Sequence, residues 1–300
     1  MFLKKFWLKF FNKSEYRQLK NQERIDESSK EFKERYQSKI EEIQNNLSKK
    51  KVLNFLHSGH AADIVNVLPV IKELSKNYTC NFYINIKKPI DFYYKHPAGK
   101  FYLNKKIYEL IKPLIKKQTY INNISIFDNQ EIDINFDIIR ELPINLTFDN
   151  ARYASVITGV YPDLTSQFLE CEEHNKFRGY VAIQRTFRYR NQFVNYKFLN
   201  NYKKLLFIGI ESEYEDLKKT VKNLEFHNCR DFLEMAEIIR SSKFTLGNSS
   251  LAFPIAEGLK VPRLLEACPY FPAAQPHGKN AYDFYFQNQF ESLFKYLYEL

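Results

Sequence analysis

The chain has 300 residues, 44% hydrophobic and 27% charged, which excludes fibrous and wholly disordered classes and allows one large core or two ordinary ones. Its 27 Phe and 21 Tyr, against 8 Gly and 11 Pro, leave no room for low-complexity linkers or collagen-like repeats. Lys and Arg exceed Asp and Glu by 45 to 35, a formal +10 that raises nucleic acid, an anionic membrane or a phosphorylated substrate as partners.

Half of that excess lies in the first twenty residues. Lys4, Lys5, Lys9, Lys13, Arg17 and Lys20 stand against Glu15 alone, interleaved with Phe2, Leu3, Phe6, Trp7, Phe10 and Phe11. The aromatics recur at helical spacing with Lys5, Lys9 and Lys13 opposite, although Lys4 intrudes on the apolar face. That is the pattern of a helix lying on an anionic membrane surface, or of one packed on the body or a partner subunit. Residues 21–50 balance at seven basic and seven acidic side chains without Gly or Pro, and read as a solvated helix or a mobile spacer. No apolar run reaches the roughly 18 to 20 residues that cross a bilayer. Cys80, Cys171, Cys229 and Cys268 are too scattered for a zinc knuckle or a disulfide framework. A reducing cytoplasm is the expected location, with peripheral contact at the inner membrane face.

The folded body is expected to begin near Lys51. Residues 52–57 read as a buried strand, followed by the turn Ser58-Gly59-His60 and an apolar-periodic helix through Ile64, Val67, Leu68, Ile71 and Leu74. A strand over 81–86, a helix over 101–117 and a strand over 120–127 continue the series. Residues 128–170 show no clear period. A second series opens with a strand over 180–184, then a strand over 205–210, a helix through Leu217 and Val221, a helix over 231–240 and a strand over 244–246. The turn Gly247-Asn248-Ser249-Ser250 leads into a helix to Lys260, and 263–265 is a short strand. Two βα series predict an α/β chain with two Rossmann-like domains, 51–170 and 171–300, facing across a cleft behind a helical extension over 1–50. Ligands bind such folds at the carboxyl ends of the strands.

The segment HSGHAADIVNVLPVIKELSKN, residues 57–77, and the stretch from Tyr180 to Gly278 carry a resemblance. Ala62-Asp63 and Pro69 fall where a first strand gives way to Gly-Asp and a Pro-bearing helix. Gln184 to Arg190 form a basic turn after a strand, Gly209 ends another, Gly247 to Ser250 open a helix, and Leu259-Lys260-Val261-Pro262 close it. In this the chain resembles GT-B glycosyltransferases of the ADP-heptose:lipopolysaccharide heptosyltransferase type, glycosyltransferase family 9. It departs from them at Ala62 for Gly, at Ser249-Ser250-Leu251 for Asp-Ser-Gly, and at Pro254 for the helix His. The resemblance implies an inverting, metal-independent transfer from a nucleotide sugar to a glycan or lipid-linked acceptor in cell-surface polysaccharide synthesis.

Such a reaction needs a base beside the acceptor hydroxyl and positive potential around the departing diphosphate. Asp63, at a strand-to-helix junction, is the candidate base, and equally a helix cap. His60 is a candidate acceptor-side or phosphate contact or, more simply, an ordinary loop histidine. Arg185, Arg188 and Arg190 are the candidate diphosphate clamp, with Arg185 foremost, against a solvated basic loop. Asn248, Ser249 and Ser250 offer hydroxyls and backbone N–H groups to a phosphate, or cap a helix without ligand. Gly209 belongs to the same nucleotide side. Glu257 is a candidate ribose contact or, more simply, a solvated surface carboxylate, and His277-Gly278 is a further candidate from an irregular loop. His57 and His60 have no compact set of Asp, Glu or Cys around them to complete a four-ligand zinc site, so neither a metal nor a resident cofactor is expected. The body from residue 51 carries only +5 and no nucleic-acid motif, so nucleic acid is not an expected partner. Two other readings stay open: a noncatalytic binding protein of the same fold on an anionic membrane, and a sugar-nucleotide epimerase.

Overall fold

With no Gly or Pro before Lys51, nothing interrupts helix formation in the first fifty residues. The computed structural model describes residues 2–90, 99–144 and 146–300. It begins with α1 (Phe2–Phe11), α2 (Lys13–Arg35) and α3 (Gln37–Lys49). The side chains of residues 1–4, and with them the expected roles of Phe2, Leu3 and Lys4, lie outside the described residues. Asn12 separates α1 from α2 and caps the latter, its side chain accepting from the Glu15 N–H at 3.1 Å. α2 buries none of its residues and is laced by i,i+4 pairs such as Arg35 with Glu31 at 2.6 Å.

The solvated reading of residues 21–50 therefore fits α2 and fails for α3. Ile40, Ile43 and Leu47 give α3 an apolar stripe, and Tyr36 and Ile43 enter the main core. Gln44 Nε2 donates to Thr158 O at 2.9 Å and Asn46 Nδ2 to Asp133 O at 3.0 Å, which fixes the helix to the body.

The first sheet is parallel and contains β1 (Val52–His57), β2 (Thr79–Ile84), β3 (Asn123–Ile126) and β4 (Ile134–Asn135), in the order β3-β2-β1-β4. Its helices are α4 (Ala61–Asn66), α5 (Leu68–Leu74), α6 (Lys105–Lys116) and α7 (Tyr153–Thr158). The single helix expected after β1 is two, because Pro69 in the first turn of α5 has no N–H with which to extend α4. Residues 128–170 hold β4, 3-10 turns over Phe136–Arg140 and Asn150–Arg152, and α7. These elements run from two to six residues, too short to display a period.

The second sheet is also parallel, in the order β7-β6-β5-β8-β9-β10. Its strands are β5 (Val181–Gln184), β6 (Leu205–Phe207), β7 (Leu224–Phe226), β8 (Phe244–Asn248), β9 (Arg263–Glu266) and β10 (Ala281–Phe284). Between and after them come α8 (Glu211–Lys218), α9 (Phe232–Ser241), α10 (Ala252–Leu259) and α11 (Gln287–Glu299). The strand expected over 205–210 stops at Phe207, while 263–265 extends by one residue to Glu266.

Both sheets share one topological feature. Successive strands run outward from β1 through β2 to β3, and the chain then returns to place β4 on the other side of β1. Likewise β8 returns to the other side of β5. Each sheet thus has a switch point, where loops leave in opposite directions and open a crevice at the strand ends. A common core joins the halves, with Phe55, Phe82 and Ile64 in one cluster with Ala182, Ile208, Met235 and Ala256. A second cluster of Phe244, Phe284, Phe290 and Phe294 belongs to the second sheet and α11. Gly258 lets the crossover chain lie on α10. Its carbonyl accepts from both Phe168 and Leu169 N–H at 2.9 Å, and a Cβ there would come within 2.5 Å of Leu169 Cγ.

Candidate active site

The first switch point gathers charges that burial would otherwise forbid. His57 ends β1, and Asp63 lies in the first turn of α4, where its Oδ2 accepts from the His60 N–H at 2.9 Å. From beyond β4 comes Arg140, whose Nη2 is 2.6 Å from the same Oδ2. Oδ1 of Asp63 has no hydrogen-bond partner among the described residues, and a quarter of the side chain stays exposed. Burial pushes the Asp63 carboxyl up, but the Arg140 guanidinium with the neighbouring His60 and His57 outweighs it and holds the group below the usual range. It is a carboxylate at neutral pH, with one oxygen anchored and one available.

Asp137 and His57 complete the cluster. Asp137 accepts from the Ser58 N–H at 2.9 Å and lies 3.5 Å from both Arg140 Nη1 and Lys88 Nζ. Burial opposes its ionisation, yet His57, Ser58 and Lys88 keep it below the usual carboxylate range. His57 Nδ1 accepts from the Gly59 N–H at 2.8 Å, and burial lowers its pKa to about 4, so the ring is neutral with its proton on Nε2. His60 points the other way, its Nδ1 2.7 Å from Tyr102 O, and burial lowers its basicity too. Gly59 is required by the close packing: a Cβ would come within 2.5 Å of His57 Cε1 and 2.7 Å of both Arg140 Nη2 and Asp63 Oδ2.

The second switch point faces this cluster with the loop Arg185–Arg190. Asn248, fully buried at the end of β8, holds that loop by its backbone. Its Oδ1 accepts from Thr186 N–H at 3.1 Å, and its Nδ2 donates to Arg188 O at 2.6 Å. Gln184 Oε1 accepts from the Ser250 hydroxyl and from the Ala252 N–H, both at 2.8 Å, so β5 and the start of α10 are locked together. Gly247 allows this approach, since a Cβ there would lie 2.7 Å from Gln184 O.

The three arginines of the loop are not equivalent. Arg185 makes a two-point ion pair with fully buried Glu266, Nε to Oε2 at 2.7 Å and Nη2 to Oε1 at 2.8 Å, beneath the ring of Tyr196. Arg190 pairs with Asp216 at 2.6 Å and donates to Thr186 O at 2.9 Å. Both guanidinium groups are tied to carboxylates of their own domain, Arg185 to Glu266 and Arg190 to Asp216. Arg188 instead sits close enough to His60 to depress its basicity further, after burial and against the pull of Asp63. Tyr189, in the left-handed region at φ 57°, stacks on Phe271 at 5.5 Å and lies within electrostatic reach of Asp63 and Arg140.

Glu257 is buried, which corrects its reading as a solvated surface carboxylate. It pairs with fully buried Arg263, takes Lys260 Nζ at 2.7 Å, and accepts from the His277 N–H at 3.1 Å. With its oxygens so engaged it is an anchor for the His277 loop. That loop reaches the first half: His277 Nε2 is 2.7 Å from Asp149 Oδ2, and Ala273 O accepts from Asn150 N–H at 2.7 Å.

The structure therefore brings Asp63 and Arg188 each within electrostatic reach of His60, and leaves Ser249 half-buried directly after β8. Ser250, Asn248, Arg185, Arg190 and Glu257 are each held by hydrogen bonds or ion pairs within the fold, and Gly209 lies beside β6, where a Cβ would press within 2.7 Å of the Phe207 ring. Arg140, Asp137 and Gly59 were missed by sequence reasoning. The first two lie in the segment without period, and Gly59 reads in the sequence only as a turn residue. Among the described residues no group of three or more His, Cys, Asp and Glu is arranged to hold a metal ion.

Two parallel sheets, each with a switch point opening on a common cleft, define the GT-B architecture expected from the sequence. No sequence family model and no curated protein sequence matches the chain. Among solved structures it is similar to the glycosyltransferase family 9 protein of Veillonella parvula DSM 2008. That match has TM-score 0.51 and 12% identity and covers 82% of this chain and 89% of that one. It is also similar to the E. coli heptosyltransferase WaaC determined with ADP, at TM-score 0.53 and 9% identity, covering 82% of this chain and 99% of that one. The likeness is one of fold, and it spans nearly the whole of both neighbours.

Proposed function

We propose that this protein is a glycosyltransferase that moves a sugar from a nucleotide-sugar donor to a hydroxyl of a glycan or lipid-linked acceptor. The observation that carries the reading is the Asp63 carboxylate, held ionised by Arg140 with Oδ1 available, facing the basic loop of Arg188 across the cleft. Asp63 Oδ1 accepts the proton of the acceptor hydroxyl as its oxygen bonds to the anomeric carbon. The bond from that carbon to the diphosphate breaks, and the departing nucleoside diphosphate takes the electron pair. Arg188 and Ser249 meet the charge that develops there. Inversion and independence from metal follow from the family resemblance, and a cytoplasmic site of action belongs to the same reading.

ADP is bound in one solved neighbour, so ADP-sugars head the donor panel. The test is mass-spectrometric detection of a sugar added to glycan and lipid-linked acceptors by purified protein supplied with each nucleotide sugar. A glycosylated product formed by the wild type and lost in Asp63→Asn supports the proposal. An altered free nucleotide sugar with no acceptor consumed would make the protein an epimerase instead.

A further inference from the structure

Helix α1 displays apolar side chains that remain exposed among the described residues. Phe6, Trp7, Phe10 and Phe11 are 60%, 56%, 60% and 74% exposed, whereas Leu8 between them is 2% exposed. Helix geometry explains the division. At about 100° per residue, Leu8 and Lys5 share one side and the four aromatics spread over an arc of roughly 140° centred on the other. The first side meets α2, where Lys5 pairs with Glu23. The second is directed away from it. Phe6 contacts Phe10 at 5.0 Å between ring centroids, and Trp7 stacks on Phe11 at 5.4 Å, so the exposed rings form two adjoining pairs rather than scattered singles.

Charge identifies the occupant of this face. Exposed Lys9 lies on its rim, exposed Lys13 and Arg17 follow on the first turns of α2, and residues 1–20 as a whole carry +5. A partner protein with an apolar groove would not need that excess. A bilayer with anionic headgroups satisfies both parts, since rings enter the headgroup and acyl boundary while lysines remain among the phosphates. No helix among the described residues is long and apolar enough to cross a membrane, so the contact is interfacial. We infer that α1 docks the protein on an anionic lipid surface through Phe6, Trp7, Phe10 and Phe11, with Lys9, Lys13 and Arg17 supplying the electrostatic attraction. α2, a helix of 23 residues with no buried side chain, then stands between the membrane and the body. This inference does not depend on the transferase reading, because lipid binding and sugar transfer are measured separately.

Trp7 is the single tryptophan of the chain, which makes it a reporter without mutation. Full-length protein is titrated with vesicles of phosphatidylcholine containing phosphatidylglycerol, and with pure phosphatidylcholine vesicles, while Trp7 emission and co-sedimentation are followed. The expected result is a blue shift and pelleting with anionic vesicles only, with affinity reduced about tenfold or more as salt rises from roughly 0.1 to 0.5 M. The variant with Phe6, Trp7, Phe10 and Phe11 all changed to Ser should lose at least about tenfold in sedimentation, with an unchanged thermal melt because the residues lie outside the core. Absence of pelleting with anionic vesicles, or equal pelleting of the variant, overturns the inference. A Trp7 blue shift that depends on protein concentration and needs no vesicles also overturns it, and assigns the face to a second copy of the chain.

Discussion

Arg140 Nη2 lies 2.6 Å from Asp63 Oδ2, joining residues 77 apart in sequence across the switch point between β1 and β4. The pair explains how a carboxylate in a mostly buried setting remains charged. It also leaves Oδ1, the proton acceptor of the proposed reaction, without a hydrogen-bond partner among the described residues. Replacing Asp63 with Asn should reduce transfer about a hundredfold or more while leaving nucleoside-diphosphate affinity nearly unchanged, because the lost group acts on the acceptor. Calorimetry and a transfer assay on the same preparation check both halves.

In the proposed reaction Arg140 would act through Asp63 as a positioning residue, so its signature is a pH profile. Removing the guanidinium in Arg140→Met removes the main influence holding the Asp63 carboxyl low, and its pKa rises. The acid limb of the transfer rate against pH should therefore move upward in the variant. An unchanged limb with reduced rate would show only a structural role.

Gly59→Ala tests the packing around the pair. The added methyl group meets His57, Arg140 and Asp63 at distances under 3 Å, and must displace at least one of them. A shift of about 1 Å in a catalytic group can lower the rate about a hundredfold, and overpacking destabilises by about 1–3 kcal/mol. A transfer assay with a thermal melt checks the prediction; wild-type activity would show that the site tolerates displacement.

The two arginines at the start and middle of the basic loop should behave differently. Arg188→Ala is expected to weaken nucleoside-diphosphate binding by about ten- to a hundredfold. Arg185→Ala instead leaves Glu266 buried without its guanidinium and should destabilise by about 3–5 kcal/mol. Calorimetry and denaturant titration of both variants distinguish ligand contact from framework.

His57 gives the fold a sensitivity to acid. Its folded pKa of about 4 lies below the ordinary value of about 6.5, so the unfolded chain binds more protons between those limits. Stability should be complete above about pH 6.5 and fall progressively toward pH 4, by at most about 3 kcal/mol from this group. Asp63 and Asp137, whose pKa values are held low, lose their own contributions further down in pH, in the same direction. Denaturant midpoints at pH 7, 5.5 and 4.5 check this, and His57→Gln should flatten the upper part of the slope.

Much of the architecture could be read from periodicity, and the site could be read in part. The turns at the ends of β1 and β8 stand out because Ser58-Gly59 and Gly247-Asn248-Ser249-Ser250 fall between apolar runs. β7 has three residues and escaped notice, while the Phe290, Phe294 and Leu297 stripe of α11 was visible at helical spacing but not used. The site partners were harder for a physical reason. Arg140 is brought to Asp63 by a two-residue strand and a 3-10 turn, which leave no periodic trace. The ion pairs of Arg185 and Glu257 were not legible because a sequence shows charges but not their partners: Glu266 and Arg263 are 81 and 6 positions away, and only folding buries them together.

The central claim, a nucleotide-sugar site between the two switch points, is tested most directly by thermal denaturation of the full chain against a panel of nucleoside diphosphates and nucleotide sugars. A ligand held at about a hundred times its dissociation constant stabilises the native state by about 2.7 kcal/mol, which raises the melting temperature by several degrees. The account predicts such a rise with at least one nucleotide sugar and its nucleoside diphosphate, greatly reduced in Arg188→Ala. A panel in which no nucleotide changes the melting temperature of the folded protein would contradict it.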